Sequence, residues 1–150
     1  FAPNVALSRA MMAAVLYNME GQPSASASDH FSDVAAGKWY SDAVNWAAEN
    51  NIVSGLPNGT YAPDQALNRE QMASILYRYA EYKGLAVEAR TDLDHFSDAD
   101  TIAPWARDVV EWAVAEKLIS GTTATTLQPK TTATRAQVAA VLMNYCENVA

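Results

Sequence analysis

The chain has little cysteine, few basic residues and no long apolar run, and each shortage excludes a class of protein. Cys146 is the only cysteine, so no disulfide can form within the chain. Ten Lys and Arg against seventeen Asp and Glu give a net charge of -7, which opposes binding to nucleic acid or to an anionic membrane surface. No apolar stretch approaches the roughly 18–20 residues that span a bilayer, which argues against insertion into a membrane.

Arrangements that carry catalysis are also missing. His30 and His95 each precede a Phe-Ser-Asp sequence, so they are equivalent positions of a repeat rather than a catalytic pair. The sequence has no Ser/His/Asp, Cys/His or metalloprotease pattern and no phosphate loop. We therefore expect no enzyme activity, no cofactor and no metal site. Half of the residues are apolar, which predicts a folded core, and Cys146 is expected to be a small buried hydrophobe in it.

An internal repeat organises the chain. FSDVAAGKWYSDAVNWAAENNIVSG from Phe31 returns as FSDADTIAPWARDVVEWAVAEKLISG from Phe96, and TYAPDQALNREQMASILYRYA from Thr60 returns as TLQPKTTATRAQVAAVLMNYC from Thr126. The first residues, FAPNVALSRAMMAAVLYNM, match that second half once more. The predicted divisions are the rear half of a repeat (1–21), a linker (22–30), a second repeat (31–84), a linker (85–95) and a third repeat (96–150).

Each repeat reads as helix, loop, helix, which predicts an all-α fold. The first helix is expected to include Trp39 and Trp46, or Trp105 and Trp112, and to be stopped by a glycine, Gly55 or Gly121. The second helix is predicted to start at Asn68 or Thr134 with a glutamine three residues on, the spacing of a capping box. Ser8 is a cap in the first copy, but Met11 is not expected to complete the box.

The motifs F-S-D-V, I-V-S-G-L-P-N-G-T-Y-A-P and L-N-R-E-Q-M-A-S-I-L together resemble the S-layer homology domain, which opens F-x-D-V and starts its second helix with T-R-A-E. The resemblance covers essentially the whole chain. It implies a pseudo-threefold prism with a central three-helix bundle, and grooves between repeats that bind secondary cell-wall polysaccharide, often pyruvylated. It also implies an exported protein, anchored non-covalently at the cell wall or surface layer.

The third repeat departs from this pattern. Thr125 stands where the middle loop has Gly59, so the turn chemistry is expected to be lost there. Ala133 replaces the larger apolar residue at Leu7 and Leu67. The grooves are therefore not expected to be equally competent.

Three arginines are the leading candidates for binding. Arg9, Arg69 and Arg135 each follow a predicted cap, where a cation opposes the helix dipole at a cost of a few tenths to about 1 kcal/mol. An arginine beside free helix N–H groups would form an anion site for a glycan carboxylate. The alternative is that each arginine pairs with an Asp or Glu of the neighbouring repeat. Arg69 is expected to be the principal residue, because its own repeat keeps the loop intact.

Tryptophans and the middle loop complete the candidate set. Trp46 and Trp112 are predicted core residues. Trp39 and Trp105 are balanced between groove lining and core. Ser54, Gly55, Asn58, Gly59 and Thr60 form a groove wall by the family resemblance, or an ordinary turn by local chemistry. Asp33 and Asp98 are expected to brace the turn before the first helix.

Two functions remain in view. The first is a carbohydrate-binding wall anchor, and the second is a divergent prism that mediates protein assembly without binding glycan. The sequence also predicts that the helix Arg9–Met19 has lost its partner helix. We expect its apolar face to be covered by a preceding segment retained as a separate chain, or by a neighbouring copy.

Overall fold

The computed structural model describes residues 5–24 and 31–148, with side chains described up to Cys146. Helices in these ranges are α1 Arg9–Met19, α2 Ser41–Glu49, α3 Arg69–Tyr82, α4 Arg107–Ala115 and α5 Arg135–Asn148, with short 3-10 helices at Ala99–Thr101 and Pro104–Ala106. Backbone pairing between extended residues is limited to three isolated bridges in the same ranges. The predicted all-α class is confirmed, whereas the prism stays a prediction. Over this part of the chain no helix is long and apolar enough to cross a membrane.

The helices pack out of phase with the sequence repeat. Two compact units form: the first unit is Leu7–Ala66, and the second unit contains the described residues from Leu67 onward together with Val5 and Ala6. In the first unit α1 packs against α2, and in the second unit α3 packs against α4. α1 and α3 therefore each take a partner from the front half of the following repeat. Because α1 is covered in this way, the prediction that it has lost its partner helix is wrong.

Capping boxes start the rear helices, as predicted. Asn68 Oδ1 accepts from the N–H of Gln71 at 2.8 Å, and Gln71 Oε1 accepts from the N–H of Asn68 at 2.9 Å. Thr134 and Gln137 exchange the same two bonds at 3.2 and 2.9 Å. Such caps contribute about 0.5–2 kcal/mol each.

The cap of α1 corrects the sequence prediction. Ser8 Oγ accepts from the N–H of Met11 at 3.1 Å, and Met11 Sδ lies 3.5 Å from the N–H of Ser8. A thioether is a weak acceptor, but it closes the box where glutamine was expected to be required.

Left-handed residues, and not the predicted glycines, follow the front helices. Asn51 has φ 60° just after α2, and Lys117 has φ 62° just after α4. Gly55 lies beyond that point, where a Cβ would collide with the ring of Phe31 and lie 3.0 Å from the carbonyl oxygen of Thr60. A Cβ added at Gly121 would meet equivalent surroundings, 2.8 Å from the Phe96 ring and 2.9 Å from the carbonyl oxygen of Thr126. Both glycines allow close approach and do not stop a helix.

The core lies between the packed helices of each unit. Trp46 and Trp112 are 2 % and 0 % exposed, which confirms them as core residues. Tyr17 packs on Trp46 with ring centroids 5.6 Å apart, and Tyr77 meets Trp112 edge-on at 5.4 Å. Removing a buried tryptophan of this kind typically costs about 3–5 kcal/mol.

Ala133 and Cys146 differ in burial. Ala133 is fully buried, like Leu7 and Leu67 at the equivalent positions. Cys146 is exposed, so the prediction of a buried thiol is wrong. The helical periodicity placed Cys146 beside Tyr145, which is buried, but the cysteine lies on the other side of α5.

Candidate functional site

The first turn of each rear helix rests on the loop end of another repeat. Arg9 N donates to Gln65 O at 2.9 Å, Arg69 N donates to Thr131 O at 3.0 Å, and Arg135 N donates to Val5 O at 3.1 Å. The next N–H groups of α1 and α3 are also taken, by Pro63 O and Pro129 O. In α1 and α3 the cap side chains accept from the third residue. In α1 and α3 the helix N–H groups that were assumed to be free for an anion site are therefore already bonded.

Arg9 clamps the middle loop. Its Nε donates to Tyr61 O at 2.7 Å and its Nη2 donates to Ser54 O at 2.8 Å. The guanidinium lies 4.4 Å from the centroid of the Tyr61 ring, whose hydroxyl donates back to Arg9 O at 3.0 Å. Burial raises the pKa of Tyr61 to about 12, although the charge of Arg9 acts in the opposite direction. Arg9 itself remains partly exposed.

Arg69 makes the equivalent contacts, but in the third loop. Its Nε donates to Leu127 O at 3.1 Å and its Nη2 donates to Ser120 O at 2.6 Å. Only 7 % of the residue is exposed. Burial lowers the pKa of Arg69, and the charge of Asp98 acts in the opposite direction. Since the intact middle loop is held by Arg9, the premise that Arg69 acts together with that loop is wrong.

Arg135 differs from the other two arginines. It is partly exposed, and the structure gives its guanidinium no hydrogen bond or ion pair within the described residues. Among the described residues, neither Arg9 nor Arg69 forms the direct ion pair with an Asp or Glu that was the alternative hypothesis; both bind backbone carbonyls.

Two aspartates hold the loops from the other side. Asp33 Oδ1 and Oδ2 accept from the N–H groups of Tyr61 and Ala62, both at 2.8 Å. Burial acts to raise the pKa of Asp33, but these hydrogen bonds and the charge of Arg9 outweigh it and leave the pKa below its ordinary value. The expectation that this residue braces the turn before the first helix missed this contact, because the loop lies 28 residues away in sequence.

Asp98 repeats the arrangement in the second unit. Its two carboxylate oxygens accept from Leu127 N at 2.9 Å and Gln128 N at 2.8 Å. Its pKa is likewise lowered: burial opposes the shift, while the loop hydrogen bonds and the charge of Arg69 favour it. Each loop end is thus held between an arginine of the preceding repeat and an aspartate of its own.

The two loops close by different chemistry. In the middle loop Gly59 has φ 84°, and Asn58 Oδ1 accepts from Thr60 N at 3.1 Å. In the third loop Thr123 Oγ1 accepts from Thr125 N at 3.2 Å and from Thr126 N at 3.1 Å. Threonine hydroxyls therefore close the third loop where the middle loop uses a glycine. The sequence predicted that the turn would be lost in the third loop, but the turn is kept by different hydrogen bonds.

The paired tryptophans at the start of the front helices are exposed. Trp39 is 67 % exposed and meets Tyr40 edge-on at 5.2 Å, and Trp105, within a 3-10 helix, is 59 % exposed. This geometry decides against the core alternative for both. Of the candidates, the structure brings Arg9, Ser54 and the end of the middle loop into contact, while Trp39 stands apart on the surface of the same unit.

The sequence of the chain matches a known domain family. The family model of the S-layer homology domain matches residues 30–73 and 95–139, more than half of the chain. The chain belongs to the S-layer homology domain family.

Relatives match this domain across nearly its full length. The chain is 36 % identical to the surface-layer 125 kDa protein of Lysinibacillus sphaericus, over 99 % of the chain and 12 % of that protein. It is 28 % identical to the cellulosome-anchoring protein of Acetivibrio thermocellus, over 98 % of the chain and 33 % of that protein. An amylopullulanase of Thermoanaerobacterium thermosulfurigenes is 32 % identical, over 98 % of the chain and 8 % of the enzyme.

The chain thus spans between a twelfth and a third of these relatives. Because enzymes and structural surface proteins share this same region, it corresponds to their S-layer homology domain, a non-catalytic anchoring module. Membership of the family assigns the chain to the extracellular surface, associated with the cell wall.

One feature departs from the T-R-A-E pattern of S-layer homology domains and was not anticipated. Glu70 occupies the alanine position, and its fully buried carboxylate accepts from Ala103 N at 3.2 Å and lies 2.7 Å from Lys130 Nζ. A buried carboxylate with one partner removed is strongly destabilising, so this pair belongs to the packing of α3 against the third repeat. The sequence signal was a charged residue where the other two copies have Ala10 and Ala136.

Proposed function

We propose that this domain anchors its parent protein by binding an acidic, pyruvylated secondary cell-wall polysaccharide. The observation that supports this most is the partly exposed guanidinium of Arg9 at the edge of the middle loop. Two of its five N–H donors are used by Tyr61 O and Ser54 O. The remaining donors suit a carboxylate, such as that of a pyruvyl ketal.

The surroundings of Arg9 fit a sugar chain. Gly59 has no side chain and nothing lies within 4 Å of its Cβ position, so a ligand can approach the loop backbone closely there, beside Gly55, Asn58 and Thr60. Elsewhere on the same unit, Trp39 offers an exposed indole face on which the C–H face of a sugar ring can stack. Net repulsion between a domain of charge -7 and an acidic glycan makes local arginines responsible for the attraction.

Equivalent positions extend the proposal to the second unit. Arg69, Trp105 and Arg135 occupy the places that Arg9 and Trp39 occupy in the repeat. Because Arg69 is almost fully buried and the Arg135 guanidinium bonds to no loop among residues 5–24 and 31–148, we expect the first unit to bind more tightly.

Co-sedimentation with purified wall polysaccharide, before and after removal of its pyruvyl groups, tests the function. Arg9→Lys retains the charge but loses the fork, and Trp39→Ala changes only an exposed side chain. Each is expected to weaken binding by about tenfold or more, equal to about 1.4 kcal/mol. Arg90→Lys, the same change in an exposed linker, is the matched control and is expected to bind normally.

The assembly alternative has its own outcome in this experiment. Exposed Trp39 and Trp105 also suit a protein partner. The anchoring proposal would be replaced by an assembly role if the folded wild-type domain bound neither form of the glycan but was retained by surface-layer protein freed of wall material.

A further inference from the structure

The middle loop contains the one asparagine of the sequence that is followed by a glycine. Asn58 and Gly59 are both exposed, and Gly59 has φ 84° with nothing within 4 Å of its Cβ position. Because glycine has no side chain, nothing of its own shields its backbone nitrogen from approach. The third loop has Ala124 and Thr125 at the equivalent positions, so the pair occurs in the first unit alone.

An Asn-Gly pair carries both partners of a spontaneous reaction, and asparagine is among the chemically labile residues. The nitrogen of Gly59 attacks the side-chain amide carbon of Asn58, and the new C–N bond closes a five-membered succinimide ring. The amide group leaves as ammonia with the proton that the Gly59 nitrogen loses. Water then opens the ring at either of its carbonyl carbons, which yields aspartate or isoaspartate. Water is the only co-reactant.

Hydrogen bonds within the loop oppose this reaction. The Gly59 N–H, which must lose its proton, donates to Leu56 O at 3.0 Å. Asn58 Oδ1 accepts from Thr60 N at 3.1 Å and from Thr60 Oγ1 at 2.6 Å, which fixes the side-chain amide on the next residue but one. Gly59 O accepts from Ser32 N at 3.1 Å, so the glycine is held on its other side as well. The turn must open before the nitrogen can bond to the amide carbon.

Arg9 joins the two ends of this loop. Its guanidinium donates to Ser54 O at 2.8 Å on one side of the turn and to Tyr61 O at 2.7 Å on the other. Inside these ends, Leu56 N donates to Thr60 O at 2.7 Å, which is the last backbone bond before the exposed tip. Hydrogen bonds from a charged donor are roughly twice as strong as neutral ones, so the arginine is the strongest single link between the two ends.

We propose that Asn58 is a deamidation site and that Arg9, as a positioning residue, holds the loop around it in a slowly reacting form. Conversion replaces a neutral amide by a carboxylate, which makes the net charge of -7 more negative by one unit. The isoaspartate product also adds a carbon to the main chain inside the turn, which displaces Gly59 from Leu56 O and Ser32 N. The proposal is independent of glycan binding.

Peptide mass spectrometry of the domain, incubated at one fixed pH, tests the proposal. Deamidation gives the peptide that contains Asn58 the mass difference between an amide and an acid, and chromatography against synthetic standards separates aspartate from isoaspartate. The folded domain is expected to convert about tenfold more slowly than the same chain in urea, because opening the turn breaks several hydrogen bonds. Arg9→Ala should convert at least about threefold faster than the wild type in buffer without urea. Arg9→Lys, which keeps the charge but loses the fork, should accelerate conversion in the same direction and replaces Arg9→Ala if that variant does not fold.

Val110→Ala separates opening of the loop from a general loss of stability. Val110 is 1 % exposed in α4 of the second unit, so this variant is destabilised while the Arg9 contacts remain, and it should convert at the wild-type rate. Asn50 is the internal control, since the side chain of Asn51 hinders the attacking nitrogen, and it should convert far more slowly than Asn58 in urea. Equal conversion of the folded and the urea-unfolded chain, or none at Asn58 in urea, would overturn the protected site. An unchanged rate in the folded Arg9 variant, or the same acceleration by Val110→Ala, would overturn the role of Arg9.

Discussion

Alanine substitution of Arg9, Arg69 and Arg135 tests whether an arginine that binds the carbonyl oxygens of a loop stabilises the fold. We call that contact the loop clamp. In Arg69→Ala, two charge-assisted hydrogen bonds to Leu127 O and Ser120 O are lost from a residue that is 7 % exposed. Such bonds contribute about 1.5–3 kcal/mol each, and water entering the vacated space recovers part of the loss. We expect the free energy of unfolding to fall by about 3 kcal/mol, which lowers Tm by about 6–12 °C in a chain of this size.

The other two arginines set the scale of that effect. Arg9→Ala removes the same two bonds from a partly exposed residue, together with the contact to the Tyr61 ring, and is expected to cost about 1.5 kcal/mol. Arg135→Ala removes no described side-chain contact and is expected to stay within about 0.5 kcal/mol of the wild type. Thermal and urea unfolding, followed by far-UV circular dichroism, measures all three.

The order of the three losses of unfolding free energy tests the loop clamp. Equal losses for Arg69→Ala and Arg135→Ala would show that the carbonyl contacts do not matter to stability. An unchanged Tm for Arg69→Ala would refute the clamp directly. Arg69→Lys adds a control for charge: a point charge does not span both carbonyls, so we expect about half of the loss to remain.

Four further substitutions test other contacts. Gly55→Ala drives a Cβ into the Phe31 ring and is expected to cost about 1–3 kcal/mol in urea unfolding, so a neutral result would contradict the close approach. The carboxylate of Asp33 has a lowered pKa in the folded state, so its stabilisation is present above the ordinary aspartate pKa and is lost as the pH falls through the folded value. Asp33→Asn should therefore flatten the acid limb of a Tm-against-pH curve, and an unchanged limb would rule this out. Trp46→Ala should cost about 3–5 kcal/mol but Trp39→Ala less than about 0.5, and similar values would refute their assignment to core and surface.

Local chemistry was predictable from the sequence. Caps act over three residues, so the starts of α3 and α5 followed from Asn68 and Thr134. The helical period placed Trp46 and Trp112 in the core. The thioether cap of Met11 was missed because cap rules consider strong acceptors, and the helix ends were missed because glycine was expected where Asn51 and Lys117 adopt positive φ.

Contacts between residues far apart in sequence were not predictable, because the sequence is repeated. A loop and an arginine recur in register, so the sequence does not say whether Arg69 reaches the loop of its own repeat or that of the next one. That choice is made by the packing of α3 against α4. The exposure of Cys146 and Met143 was missed for a related reason, because the helical period marks the apolar positions of α5 without showing which other helix packs on them.

Each packed pair of helices combines the rear half of one repeat with the front half of the next. Neither proteolysis nor gene duplication therefore separates a whole sequence repeat as a packed body. The linker 85–95 lies between two sequence repeats, yet it joins α3 to α4, which are partners in one packed body. Cleavage there should leave both fragments associated, as a nicked protein, instead of releasing a repeat. A single repeat such as 31–84, cut at its sequence boundaries, would carry α2 without α1 and α3 without α4. Duplication of one repeat in a gene therefore does not add a self-sufficient body: the new front half completes an old rear helix, and the new rear helix takes over the front half that follows.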